Sequence, residues 1–101
     1  MTVQKAPKAP SGLTALQSGT TTSQNIKLTW KDNSDYEKNF VLERSTDQKN
    51  WTVLSSTLAP NTTSYTDTKN LSKRTKYYYR VKATNDAGSS AYSIVASATT
   101  K

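Results

Sequence analysis

The chain has no cysteine and no histidine among its 101 residues, and only three glycines. Without cysteine, neither a disulfide bond nor a thiolate metal site can form. Without histidine, the chain lacks the commonest general base and the commonest zinc ligand. The scarcity of glycine leaves no glycine-rich phosphate loop. The sequence therefore predicts no metal and no cofactor.

Long apolar segments are also missing, since hydrophobic residues make up 33% of the chain and the mean hydropathy is −0.79. No run is long enough to span a membrane, and the first ten residues contain no apolar stretch typical of a signal peptide. A membrane partner is not expected. Residues 1–9 are polar and contain Pro7, which predicts a linker, followed by one domain over residues 10–101.

Positive charge is in excess, with 14 Lys and Arg against 7 Asp and Glu, giving a net charge of +7. Such a balance suits an anionic partner, or it serves a solvated surface that keeps the domain soluble. The cations are scattered from Lys5 to Lys101 rather than clustered, which favours the second interpretation. Nucleic acid is not an expected partner.

Apolar and polar residues alternate along several short segments, most clearly between Tyr77 and Ala83. A period of two is typical of strands with one buried face. Short strands separated by turns predict an all-β, seven-stranded antiparallel immunoglobulin-like sandwich. The fourth strand is predicted to begin at Trp51, and the last to cover Ile94 to Thr99. The predicted core consists of Leu13, Ile26, Leu28, Trp30, Phe40, Leu42, Tyr65, Leu71, Tyr77, Tyr79, Val81 and Ala83.

The residues facing outward do not indicate catalysis. Glycosidase chemistry needs two carboxylates across a cleft, and a filled sandwich supplies no cleft. The seven acids are Asp32, Asp35, Glu37, Glu43, Asp47, Asp67 and Asp86, most of them in predicted turns. Glu43 and Arg80 are expected to face solvent on neighbouring strands and to form an exposed ion pair worth at most about 1 kcal/mol. The sequence therefore predicts no enzyme and no catalytic residue.

Several motifs, in this order and spacing, resemble a fibronectin type III domain over residues 8–100. They are Pro10-x-x-Leu13-x-Ala15, Ile26-x-Leu28-x-Trp30, the segment Leu71-x-x-x-Thr75-x-Tyr77-x-Tyr79-Arg80-Val81-x-Ala83-x-Asn85, and the turn ending at Gly88. An immunoglobulin domain would need paired cysteines and a tryptophan on the third strand. The resemblance implies fibronectin type III topology and a tyrosine corner at Tyr77. Lys73 stands where the family usually has proline.

The phrases Trp30-Lys-Asp-Asn-Ser and Glu43-Arg-Ser-Thr-Asp are similar to the bacterial type of this domain, found in secreted glycoside hydrolases and surface proteins. That similarity implies an extracellular, monomeric, non-catalytic spacer whose partners are neighbouring domains of a larger, polysaccharide-active protein.

The alternative function is weak binding or adhesion to polysaccharide or cell-wall polymer through exposed aromatic residues and lysines. The candidate ligand-binding residues are Tyr36, Trp51, Tyr78 and Tyr92. Packing is the favoured interpretation for Trp51 and Tyr78, whereas Tyr36 is the preferred ligand contact.

Overall fold

The computed structural model describes residues 6–33 and 37–101 of the chain. In these residues it contains strands and no helix, and therefore no helix able to cross a membrane. The strands are β1 (Ser11–Gln17), β2 (Ile26–Lys31), β3 (Asn39–Ser45), β4 (Thr52–Leu58), β5 (Ser64–Asp67), β6 (Lys76–Asn85), β7 (Gly88–Ser89) and β8 (Ala96–Thr99).

The strands form two antiparallel sheets. One sheet has the order β1-β2-β5; the other has the order β4-β3-β6-β7, with β8 also paired to β6. The ten-residue strand β6 is central, pairing with β3 from Asn39↔Thr84 to Ser45↔Tyr78. Because its residues alternate in polarity, one face of β6 enters the core and the other faces outward. The predicted all-β sandwich is confirmed.

Three details of the predicted strands are wrong. Strand β4 begins at Thr52 rather than at Trp51. The described residues form eight strands rather than seven, because a two-residue strand, Gly88–Ser89, folds back against the end of β6. Gly88 has a φ of 145°, a conformation that side chains with a Cβ rarely adopt. The last strand begins at Ala96 rather than at Ile94. Ile94 and Val95 are exposed and precede β8.

The core lies between the two sheets and contains buried side chains from β1, β2, β3, β4 and β6. Trp30 and Phe40 pack with their ring centroids 5.9 Å apart. Tyr65 and Leu71, predicted in the core, are partly buried against it, and the other ten predicted residues are buried. Leu54 on β4 is also buried, although sequence reasoning missed it. Its neighbour Val53 is exposed, whereas Leu58 at the end of β4 is partly buried against the core.

A buried polar network joins the two sheets. The Asp67 carboxylate on β5 is fully buried, and its Oδ2 accepts hydrogen bonds from Arg44 Nη1 at 2.9 Å and from the Tyr79 hydroxyl at 2.8 Å. Its Oδ1 accepts one from the Lys69 backbone N–H at 3.0 Å. Burial raises the pKa of Tyr79, with the Asp67 carboxylate as the second cause, so this hydroxyl stays a donor. The network therefore ties β5 of one sheet to β3 and β6 of the other.

The two ends of the described chain lie at opposite ends of the sandwich. The Ala6 side chain lies beside Gly88, where β6 turns into β7, and both Pro7 and Pro10 are buried. Lys101 lies at the other end, where its backbone exchanges hydrogen bonds with the Gln24 side chain. The boundary between a linker and a domain after residue 9 stays a prediction.

Candidate ligand-binding face

The outward face of β6 gathers most of the aromatic residues selected from the sequence. Alternate β6 positions place Lys76, Tyr78, Arg80 and Lys82 on this face, opposite the buried Tyr77, Tyr79 and Val81. Trp51 lies just before β4, and Tyr92 lies between β7 and β8. We call these six residues the aromatic–cation face: Trp51, Lys76, Tyr78, Arg80, Lys82 and Tyr92.

Arg80 is the centre of the face because two aromatic rings stack on its guanidinium. Its Cζ atom lies 4.1 Å from the Trp51 ring centroid and 3.8 Å from the Tyr92 ring centroid. Each such contact is worth about 0.5–1 kcal/mol at an exposed site and more when water is excluded. A second cation lies near Tyr92, because the Lys82 Nζ is 4.9 Å from the same ring centroid. Cations and aromatic rings therefore alternate from Trp51 through Arg80 and Tyr92 to Lys82.

The predicted exposure of Glu43 is wrong, although the predicted partner is right. Glu43 Oε1 accepts a hydrogen bond from Arg80 Nε at 2.8 Å and lies 2.7 Å from Arg80 Nη2. Its Oε2 accepts a hydrogen bond from the Tyr92 hydroxyl at 2.8 Å. Because the stacked residues cover it, Glu43 retains only 7% exposure. The carboxylate fixes the arginine and the tyrosine, and its charge is matched by Arg80.

Serine side chains hold the segment that carries Tyr92 against β6. Ser90 Oγ accepts a hydrogen bond from the Ala83 N–H at 2.8 Å, and Ser93 Oγ accepts one from the Val81 N–H at 3.1 Å. The backbone N–H groups of the same two serines donate to the carbonyls of Ala83 and Val81, both at 2.8 Å. Tyr92 is therefore held on the face by hydrogen bonds on both sides of it.

The end of the face at Lys76, where β6 begins, is more open. Lys76 is exposed, and its Nζ lies 5.3 Å from the Tyr78 ring centroid. Strand β8 adds the exposed hydroxyl residues Ser97 and Thr99, which pair with Tyr78 and Lys76. This end therefore presents ammonium and hydroxyl groups.

Three of the four predicted ligand-binding residues share this face, whereas Tyr36 lies outside the described residues. Trp51, Tyr78 and Tyr92 are all half-buried rather than fully exposed. Sequence reasoning did not foresee that a cation would cover each of these rings. The outward position of Arg80 and Lys82 in the alternating pattern was the available signal, but nothing linked them to residues 51 and 92.

A separate pocket of about 450 Å³ lies near the Lys101 end, and Thr21, Asn25, Asn70 and Lys73 are among its lining residues. All its lining residues are polar and uncharged except Leu71 and Lys73, so no carboxylate is available for acid or base catalysis there. No group of three or more metal-ligating side chains occurs in residues 6–33 and 37–101. Neither the aromatic–cation face nor this pocket offers the pair of acid and base groups that hydrolytic chemistry needs.

Two packed antiparallel sheets with this strand order define an immunoglobulin-like β-sandwich. The family model "Fibronectin type III domain" matches residues 8–99, and the chain belongs to this family. Domains of this family are generally non-catalytic modules of multidomain proteins. No curated protein sequence matches the chain.

Solved structures share the fold. A fibronectin type III-like protein from Clostridium thermocellum is 29% identical, with a TM-score of 0.73 and coverage of 92% of both chains. Titin domains A168–A170 are 25% identical, with a TM-score of 0.75, over 93% of this chain and 32% of theirs. A β-1,2-glucanase from Parabacteroides distasonis is 24% identical, with a TM-score of 0.67, over 94% of this chain and 13% of its own length. The chain thus spans about a third or less of the two multidomain structures.

Proposed function

We propose that the chain is a non-catalytic spacer module of a larger secreted or cell-surface bacterial protein that acts on polysaccharide. Family membership supports the modular role, because these domains typically occur in multidomain proteins. The similarity to the Clostridium thermocellum protein over nearly the whole of both chains supports a bacterial context. The absence of a paired acid and base in the pocket supports a non-catalytic role.

The placement of Ala6 and Lys101 at opposite ends of the sandwich carries this proposal. Ten residues of β6 run between these ends, which corresponds to roughly 33 Å at the usual rise per strand residue. A flexible polar linker of the same length as the chain would have a root-mean-square span of about 55 Å, with a broad distribution. The folded module therefore holds its neighbouring domains at a shorter but better-defined distance than a flexible linker of the same length would.

A tandem of two copies tests the spacer function. Since the chain has no cysteine, Ala6→Cys in the first copy and Lys101→Cys in the second give a unique pair of labelling sites. The expected separation, measured by pulsed electron spin resonance, is roughly 66 Å, twice the span of one module, with a narrow distribution. The same tandem in denaturant is the control. Copies that fold back side by side, or a native distribution as broad as the denatured one, would contradict a spacing role.

A second candidate function is weak binding of polysaccharide or cell-wall polymer. The observation favouring it is that Trp51, Tyr78 and Tyr92 share one face with three cations. Retention on insoluble cellulose, chitin or bacterial cell wall, compared at low and high salt, tests it. Loss of retention in salt would indicate binding by charge, and retention that survives salt would indicate aromatic stacking. No retention on any polymer would contradict it.

A further inference from the structure

We propose that the aromatic–cation face binds a linear acidic polysaccharide laid along β6, with carboxylates of the polymer paired to Lys76 and Lys82. This inference rests on the second candidate function, and it names the class of polymer and the groups that hold it.

The charge of the face favours an anionic ligand. Arg80 is matched by Glu43, which leaves the two lysines as the uncompensated charges of the six-residue face. The outward positions of β3, β6 and β8 contain no other acid, and β4 contains none at all. An approaching carboxylate therefore meets positive potential along the strand without facing a free carboxylate on these strands.

The spacing of the lysines favours a polymer over a small anion. They stand six residues apart on one strand, which corresponds to about 20 Å. A single sugar cannot contact both, whereas a linear chain of several sugars can. Contacts between Lys76 and the Tyr78 ring, and between Lys82 and the Tyr92 ring, hold each ammonium group near the sheet. Fixing the lysines before binding reduces the side-chain entropy lost on binding.

The aromatic rings favour an acidic sugar polymer over a neutral sugar or a single-stranded nucleic acid. Stacking of sugars or bases needs free ring faces. Here Arg80 occupies a face of Trp51, and both Arg80 and Lys82 lie against Tyr92. At the Lys76 end of the face, the free donors are the ammonium of Lys76 and the hydroxyls of Ser97 and Thr99. These groups can donate hydrogen bonds to the carboxylate and hydroxyl groups of a polymer.

Two double variants with the same net charge provide the test. Lys76→Gln with Lys82→Gln removes the proposed contacts, and Lys27→Gln with Lys31→Gln removes two exposed lysines from β2 of the other sheet. The probe is polygalacturonate, compared with its methyl-esterified form, which has the same backbone without the charge. Affinity is measured by calorimetry at several salt concentrations, and thermal unfolding checks that both variants are folded.

The wild-type domain is expected to bind polygalacturonate with an affinity that falls as salt rises and increases with polymer length. Two lost ion pairs at an exposed surface should weaken binding about tenfold in the β6 variant, with little change in the β2 variant. Equal weakening in both variants would overturn the inference, because the attraction would then come from overall charge.

Further outcomes separate this inference from the functions on which it rests. Equal binding of the esterified polymer would overturn it and leave the second candidate function standing. Tighter binding of a single-stranded oligonucleotide of matched charge would overturn the choice of polysaccharide. Failure to bind polygalacturonate would overturn the inference without affecting the spacer proposal, whereas the second candidate function is overturned only if cellulose, chitin and cell wall also fail to retain the domain.

Discussion

Replacing Asp67 by alanine should be among the most damaging single changes to the domain. The Asp67 carboxylate is fully buried and accepts three hydrogen bonds, including those from Arg44 and Tyr79. Its removal leaves the Tyr79 hydroxyl without its acceptor inside the core. It also leaves the Arg44 guanidinium, whose side chain is 16% exposed, without its carboxylate. Both groups destabilise the folded state, because they stay buried while losing a hydrogen-bond partner.

Removing one partner of a buried ion pair typically costs 3–5 kcal/mol, and we expect about 3 kcal/mol because Arg44 keeps some solvent and its bond to the Lys69 carbonyl. A domain of this size has a free energy of unfolding of about 5–15 kcal/mol, so much of it would be lost. Asp67→Asn preserves shape and one acceptor, and should cost about half as much. Tyr79→Phe removes only the donor and should cost about 1 kcal/mol.

Equilibrium unfolding in urea, followed by the fluorescence of Trp30 and Trp51, measures these differences. The matched control is Asp86→Ala, because the ion pair of Asp86 with Lys38 has side chains 77% and 66% exposed and should contribute less than about 1 kcal/mol. The double variant of Asp67→Ala and Tyr79→Phe should lose less than the sum of the single losses, because the two side chains share one hydrogen bond. A loss for Asp67→Ala no larger than that for Asp86→Ala would refute the reasoning.

Three further changes test other parts of the fold. Tyr77→Phe removes the hydroxyl that accepts the Ser72 N–H at 2.7 Å and should lower the free energy of unfolding by about 1–2 kcal/mol in urea titrations; no loss would deny this corner a stabilising role. Gly88→Ala should lower the free energy of unfolding by about 1–3 kcal/mol in the same assay, because alanine rarely adopts the positive φ of this residue. A steric clash does not contribute, because the nearest atom to an added Cβ is 3.8 Å away. An unchanged midpoint would show that the turn relaxes freely. Burial and the neighbouring Asp32 carboxyl raise the pKa of Glu37 above 4.5, so its contribution to stability is full at low pH and is lost as pH rises through the raised value. Glu37→Gln should therefore gain stability relative to wild type between about pH 4 and pH 7 in thermal unfolding, and a constant difference across that range would contradict this.

The buried face of β6 could be predicted from sequence because alternation alone determines it. Tyr77, Tyr79 and Val81 stand two residues apart, and a strand has only two faces to which they can be assigned. Tyr65 lies on the edge strand β5, and Leu71 lies in the connection between β5 and β6, and both are only partly buried against the core. Leu54 was missed because Val53 beside it is equally apolar, and nothing local distinguishes the inward residue.

The candidate face could be predicted only in part, because its contacts join residues distant in sequence. The pairing of β3 with β6 sets Glu43 opposite Arg80, and the fold class alone made this pair predictable. That Tyr92 and Trp51 would cover the pair depends on where two non-strand residues lie. The hydrogen bonds of Ser90 and Ser93 to β6 determine this for Tyr92. An exposed ion pair was therefore expected where the structure has a covered one.

One face of strand β6 stabilises the fold, and the other carries the groups proposed to bind a ligand. Its inward tyrosines are tied to the core, with Tyr79 bound to Asp67 and Tyr77 to the backbone at Ser72. On its outward face, Arg80 is committed to holding Trp51 and Tyr92 in place. Of the three cations on this outward face, only Lys76 and Lys82 make no ion pair among the described residues, so they can exchange solvent for a ligand at little cost to the fold. A change of ligand preference in this domain should therefore be achievable at those two lysines, while substitution of Arg80 should alter stability and binding together.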